Sequence, residues 1–364
     1  MKRFFRSLPI LGIFAFTAAA CSSAAACTGI TIRTQDGSII FGRTLEFAVD
    51  FSSSLIVVPR GVEYVGTAPG DKPGLRWKSK YAVAGMNAYD QPLFGDGLNE
   101  RGLHVGIFYF PGFAKYQPVT EKDFPQTLAP QEFAGYLLGT CATADEAVEA
   151  ALHVKVAEVV FPQFGFVPPF HYIVNDASGE SVVLEHVDGE LKIHRNPLGV
   201  ITNSPTFDWH MTNLSNYVNE TVSDVPKIDV GGEQIKGLGQ GGGMLGLPGD
   251  FTPPSRFVRA AAFSQSALPV ETAKEGVLQT FHILNQFDIP KGAARSREHG
   301  QLVADYTLWT TAADLKNLRY YFRTFENSRI RMLDLKALDL NAQDIKTISI
   351  QGDEQVEDVT AKAR

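Results

Sequence analysis

At residue 27 the sequence changes character in a way that limits what the rest of the chain can become. A run of three alanines, Ala24 to Ala26, gives way to CTGITIRT, which alternates polar and apolar residues. QDG then offers a turn, and SIIFGRTLEF resumes as a strand. Residues 27 to 47 are therefore predicted to form an antiparallel hairpin whose first residue is Cys27. The residues before it read as an address. Lys2, Arg3 and Arg6 form a positive start, and Leu8 to Ala20 a short apolar stretch broken only by Pro9, Gly12 and Thr17. This pattern predicts a secretory signal peptide over residues 1–26, cut at an A-x-A site. The mature chain, 27–364, is then expected in the periplasm or outside the cell.

Cleavage after Ala26 would make Cys27 the N-terminal residue. One carbon would then carry a thiol nucleophile and an α-amine whose reference pKa near 7.7–8.0 suits it to act as a base. Two other readings of this cysteine exist. Cys21 and Cys27 each follow three alanines, loosely like a lipidation site, but neither has a leucine three residues before it. Cys27 could also pair with Cys141, the one other cysteine left after processing. Cys141 lies in QEFAGYLLGTCATADEAVEAAL, an apolar stretch read as helical, where a buried inert thiol is the default.

Composition narrows the class of function. The chain has 364 residues, 44% hydrophobic and 20% charged, which is the balance of a folded protein. Its net charge is −7. The leader holds no acidic residue, so losing its three cations leaves a more acidic mature chain, which argues against nucleic-acid binding. No apolar run of eighteen or more lies beyond the leader, so no membrane-spanning helix is expected.

Further strands are predicted at HYIVND, SVVLEHV, ELKIHR and GVITN, and near the C-terminus at YTLWTTAA, RYYFRTF and RIRMLDL. Helices are predicted over about 130–153, in PPSRFVRAAAFSQSA with proline in its first turn, and in EGVLQTFHILNQF with Val277, Phe281 and Leu284 at helical spacing. Strands and helices segregate, so a single α+β domain over 27–364 is expected. His171, His186 and His194 fall on strands and read as surface or satisfied core residues. Gly237, Gly239 and Gly242 fit G-x-G-x-x-G, but no helix can follow them, so the segment reads as a loop near the site.

The segments CTGITIRTQDGSIIFGRTLEF, DGLNERGLHVGIFYFPGF, ITNSPTFDWHMTNLSNY and GMLGLPGDFTPPSRFVRA, in that order, resemble the choloylglycine hydrolase family of N-terminal nucleophile hydrolases. This family contains bile salt hydrolases and penicillin V acylases. The resemblance implies a four-layer αββα sandwich of two antiparallel sheets, with the nucleophile at the start of a central strand. It implies that Cys27 is the nucleophile and that Arg43 stands beside its thiol. Glu46 replaces the aspartate that usually holds the α-amine, one methylene longer. Asn203 matches the oxyanion-hole asparagine, its side-chain N–H aimed at the developing charge. Arg256 matches an arginine giving electrostatic support, with Arg259 a helix-face partner.

Tyr109 would supply a second oxyanion donor from its backbone N–H. It also matches a position often Tyr in penicillin V acylases and usually Asn in bile salt hydrolases. Leu45, Tyr109, Phe161, Phe164 and Phe166 are expected to line an apolar acyl pocket. The cluster Phe161, Phe164, Phe166 and Phe170 is expected either to lid the site as a loop or to pack in the core. The implied reaction is hydrolysis of a linear amide through a thioester, without cofactor or metal, on a small-molecule substrate. Penicillin V and N-acyl homoserine lactones are one substrate reading; glycine- or taurine-conjugated bile salts are the second. A lipid-anchored binding protein without catalysis is the third reading of the chain. The resemblance also implies a homotetramer.

Overall fold

The computed structural model describes residues 26–298 and 301–363. Apart from Ala26, the proposed signal peptide and Cys21 lie outside the described residues.

The predicted hairpin is the start of the fold. Strand β1, Cys27–Arg33, pairs antiparallel with β2, Ile39–Phe47, so that Gly29 faces Arg43 and Cys27 faces Leu45. Its turn is closed by Gly37 N–H donating to the Thr34 carbonyl at 3.1 Å, with Gly37 at φ +75°. The Asp36 carboxylate takes the Ser38 N–H at 2.9 Å and fixes the turn further. β2 is buried on both faces almost throughout. A strand in that position must sit between two layers.

The layers are two antiparallel sheets with helices outside each. In the first sheet β1 and β2 are followed in order by Gln301–Asp314, Arg319–Thr324 and Arg331–Asp334. The second has eight strands in the order Glu190–Arg195, Ser181–Val187, Phe170–Asn175, His104–Tyr109, Phe94–Asn99, Val83–Asn87, Ser54–Val58 and Lys346–Ser349. Helices α1, Phe133–Thr140, and α2, Ala144–Leu152, cover the second sheet. A short α3, Phe207–Asn213, precedes α4, Pro253–Ser266, and α5, Ala273–Leu284, which cover the first. The result is the expected αββα sandwich. One apolar cluster joins the facing sheets to α4 and α5, and a second lies between the second sheet and α1 and α2. Gly42 marks the closeness of α5: a Cβ there would lie 2.3 Å from Thr280 Cγ2.

Three expectations are corrected and one alternative falls. The helix expected over 130–153 is two helices. Cys141 is extended at the end of α1, and Thr143 starts α2 afresh by accepting the Glu146 N–H at 3.2 Å. Asn99 Nδ2 takes over the orphaned carbonyls of Leu138 and Cys141 at 2.8 and 2.7 Å. Cys27 and Cys141 are both free and belong to different apolar clusters, so no disulfide joins them. GVITN forms a single bridge, Ile201 with Gly29, instead of a strand, because Pro205 and α3 follow at once. The glycine loop at 237–242 is exposed and lines no part of the cleft described below.

Candidate active site

The C-terminal edge of β2, the start of β1 and the first turn of α4 converge on Cys27. In the structure its nitrogen is still a peptide amide joined to Ala26, whose carbonyl accepts the Glu46 N–H at 2.9 Å. The Cys27 N–H donates to Asn203 Oδ1 at 2.7 Å. Burial holds the thiol above its ordinary value of 9.0; Arg43 and Arg256 pull it down and Glu46 pushes it up.

Arg256 follows from local sequence. Thr252 precedes Pro253, whose fixed φ starts α4, and Asp250 holds Thr252 N–H at 2.8 Å and Ser255 Oγ at 2.7 Å. Arg256 therefore leaves the first turn pointing at β1. Its guanidinium makes four hydrogen bonds. Nη1 donates to the Cys27 carbonyl and to Thr28 Oγ1 (2.9 Å), Nη2 to Asn203 Oδ1 (2.7 Å), and Nε to the Phe251 carbonyl (2.8 Å). Burial lowers it to about 10, against the pull of Glu46 and Cys27. Arg259 serves the approach instead, donating to the Pro248 and Asp250 carbonyls.

Asn203 is where these contacts meet. Two donors, Cys27 N and Arg256 Nη2, fix its oxygen on that side. Its Nδ2 spends one N–H on the Tyr109 carbonyl at 2.8 Å. It is thus the side-chain carbonyl of Asn203 that meets the Cys27 nitrogen, while one of its N–H groups is turned to Tyr109.

Arg43 crosses to the second sheet. Nη1 donates to the carbonyls of Ile107 (2.5 Å) and Gly95 (3.2 Å), and the guanidinium lies 4.0 Å above the Phe108 ring. Nη2 has no partner among the described residues. Behind it sits a group that sequence reasoning missed. Asp96 is fully buried and accepts from His104 Nε2 at 2.8 Å, Tyr320 OH at 2.5 Å and Thr311 Oγ1 at 3.1 Å. Burial pushes its carboxyl up, but His104, Arg43 and Tyr320 outweigh that and keep it below 3.8. Thr311 pairs with Arg43 across the sheet, so the charge under Arg43 comes from the antiparallel register.

Glu46 is buried beside the bulge at Thr307–Trp309. Oε1 accepts from Thr307 Oγ1 at 2.9 Å, and Oε2 has no partner among the described residues. Burial raises its carboxyl to about 8, despite Arg256 and Arg43. The ordinary value is 4.5. Between about pH 5 and 8 the folded chain then holds a proton the unfolded chain has lost, so stability falls as pH rises. In a chain retaining Ala26, the urea midpoint of the wild type should decline through this window relative to Glu46→Gln. Parallel profiles would show that Glu46 ionises at its ordinary value.

An apolar cleft of about 700 Å³ opens from Cys27. Leu45, Tyr109, Phe161 and Phe164 line it as expected, and Phe47, Phe51, Tyr89, Phe94, Phe170 and Trp309 join them. Phe166 does not line it. The loop turns back on itself through Phe161 N–H to the Phe166 carbonyl (3.0 Å), which directs Phe164 inward and leaves Phe166 behind it at 5.3 Å between ring centroids. Phe164→Ala should therefore lower kcat/KM for an aromatic acyl amide about tenfold. Phe166→Ala should change it less than about twofold. Equal losses in both variants, tracking a fall in melting temperature, would mean that the loop only packs the core.

The model of the linear amide C–N hydrolases, choloylglycine hydrolase family, matches residues 27–348. The chain is 33% identical over 323 residues to a bile salt hydrolase/transferase of Clostridium perfringens, covering 88% of this chain and 96% of that protein. Its fold matches a variant of the conjugated bile acid hydrolase from Clostridium perfringens with TM-score 0.81 and 32% identity, over 92% and 100% of the two chains. It matches the penicillin V acylase of Agrobacterium tumefaciens with TM-score 0.72 and 25% identity, over 89% and 91%.

Proposed function

The chain belongs to the choloylglycine hydrolase family of linear amide C–N hydrolases, and within it we propose a penicillin V acylase-like amidase of the cell envelope that uses Cys27 as nucleophile. The observation that carries the proposal is the position of Cys27. It lies at the end of an aromatic cleft, with Asn203 Oδ1 on its nitrogen and the buried carboxyl of Glu46, one oxygen unpartnered among the described residues, nearby.

Removal of residues 1–26 turns the Cys27 amide into an amine. Asn203 Oδ1 already accepts from this nitrogen, and Glu46 Oε2 supplies a second acceptor for the ammonium. The neutral amine takes the thiol proton, and the thiolate attacks the acyl carbonyl. The oxyanion falls to the remaining Asn203 N–H and the Tyr109 backbone N–H. The amine returns the proton to the leaving nitrogen as the C–N bond breaks. Water then hydrolyses the thioester, releasing the acid and restoring the thiol. Arg43 holds positive charge near the thiolate, and Arg256 holds the backbone of Cys27.

The aromatic lining and the Tyr109 ring suit an aryl or extended apolar acyl group. The second reading is a conjugated bile salt hydrolase, favoured by the higher TM-score and identity to the bile acid enzyme. The test compares kcat/KM of the processed protein on penicillin V, a long-chain acyl homoserine lactone, glycocholate and taurocholate. Preference for penicillin V or the lactone supports the acylase. Preference for the conjugates overturns it in favour of the second reading.

A further inference from the structure

Asn203 gathers the polar contacts of the site, and its own backbone is clamped from the side away from Cys27. The carbonyl of Thr202 accepts from His171 Nε2 at 3.0 Å, and the carbonyl of Asn203 accepts from His210 Nε2 at 2.9 Å. These two carbonyls belong to the peptide planes on either side of the Asn203 Cα. Together they set the direction of its side chain.

Each ring is itself immobilised. His171 comes from strand Phe170–Asn175 and stacks on Phe110 at 4.3 Å and 7°. Its Nδ1 lies 3.0 Å from Glu185 Oε1, in the neighbouring strand. A carbonyl only accepts, so Nε2 is the donor to Thr202. Glu185 also accepts the Phe207 N–H at 3.0 Å and faces His194 Nε2 at 3.5 Å. Burial pushes its carboxyl up, but His171 and His194 outweigh that and hold it at about 2. His210 comes from α3 and stacks on Phe257 at 4.6 Å and 11°, one residue after Arg256. Burial lowers it to about 4, so it is neutral at pH 7 and donates from Nε2. Its Nδ1 has no partner among the described residues.

A buried carboxylate–imidazole pair stabilises a fold poorly compared with apolar residues of the same size. These polar groups hold no loop against solvent: His171, His210 and Glu185 are all at most 2% exposed. What they fix is the segment that carries Asn203, through its two flanking carbonyls and the Phe207 N–H at the start of α3. We propose that His171 and His210, with Glu185 behind His171, are positioning residues for Asn203 in amide hydrolysis. This rests on the reading of Asn203 as part of the reacting site. A misplacement of about 1 Å at such a group can cost about 10²-fold in rate.

His210→Phe keeps the stack on Phe257 and removes the N–H. On whichever of penicillin V or glycocholate the enzyme turns over, it should lower kcat about 10- to 100-fold and leave KM within about twofold. His210→Gln, which can still donate to the Asn203 carbonyl, should recover most of the loss. In an Asn203→Ala background, His210→Phe should cause no further loss. Glu185→Gln, which keeps an oxygen to accept the Phe207 N–H at the start of α3, should likewise lower kcat and likewise have no effect once Asn203 is gone. If the His210 and Asn203 losses multiply, or if neither His210→Phe nor Glu185→Gln changes kcat, the positioning role is wrong while the site stands. If Asn203→Ala alone leaves kcat unchanged, the site reading fails, and this inference with it.

Discussion

Cys27→Ala in the processed protein should abolish turnover, with kcat at least about 10⁴-fold lower on every amide that the wild type cleaves. The side chain removed is small and its site is buried at the end of a paired strand, so folding should survive. The comparison that isolates the chemistry is a chain with an intact thiol but with Ala26 still attached. In that state the Cys27 nitrogen is an amide already donating to Asn203, and burial holds the thiol high. An amide nitrogen has no basic lone pair to take the thiol proton. This chain should be as inactive as Cys27→Ala, and iodoacetamide should alkylate it more slowly than the processed form. Intact mass and alkylation rate read both states. Substantial activity in Cys27→Ala would end the nucleophile assignment. Activity in the Ala26 chain would leave the thiol in place but remove the amine as base.

The hairpin explains why so much of this centre is legible from one short stretch. Alternation and the QDG turn pair β1 with β2, and the register then sets Leu45 opposite Cys27 and Arg43 opposite Gly29. Glu46 needs no long-range information either, since it follows Leu45. Strand periodicity by itself would mislead in β2, because nearly every residue is buried when a strand lies in an inner layer. Asp96, His104, Thr311 and Tyr320 are a different case. They come from two sheets and from segments more than 200 residues apart, and only the tertiary pairing brings them under Arg43. No local pattern marks a histidine that will cap the carbonyl of Thr202 or Asn203. The break between α1 and α2 has a local signal in Thr143 with Glu146, which the continuous apolar pattern around it masks. Phe166 lies outside the cleft although its loop is aromatic, because composition does not say which ring faces inward.

Arg256→Met should damage stability and rate together, which separates it from the other variants. The guanidinium satisfies the Cys27 and Phe251 carbonyls, Thr28 Oγ1 and Asn203 Oδ1 in one buried fork. An apolar side chain leaves the two buried carbonyls without this donor. Leaving two buried carbonyls unpaired typically costs about 2–6 kcal/mol of unfolding free energy. The rate should fall about 10²–10³-fold, because Asn203 loses one of the two donors that orient its oxygen, and the Cys27 backbone loses its anchor. Arg256→Lys keeps a positive charge but has one nitrogen where the fork uses three. It should regain part of the stability, because the ammonium can donate to one of the stranded carbonyls, and little of the rate, because no single ammonium reaches Cys27, Asn203 and Phe251 at once. Urea unfolding and kcat on the same preparations give both quantities. If Lys restores the rate as well as the stability, charge alone is sufficient and the fork geometry is incidental. If Met leaves the rate intact while stability falls, Arg256 holds α4 to β1 and does not act through Asn203.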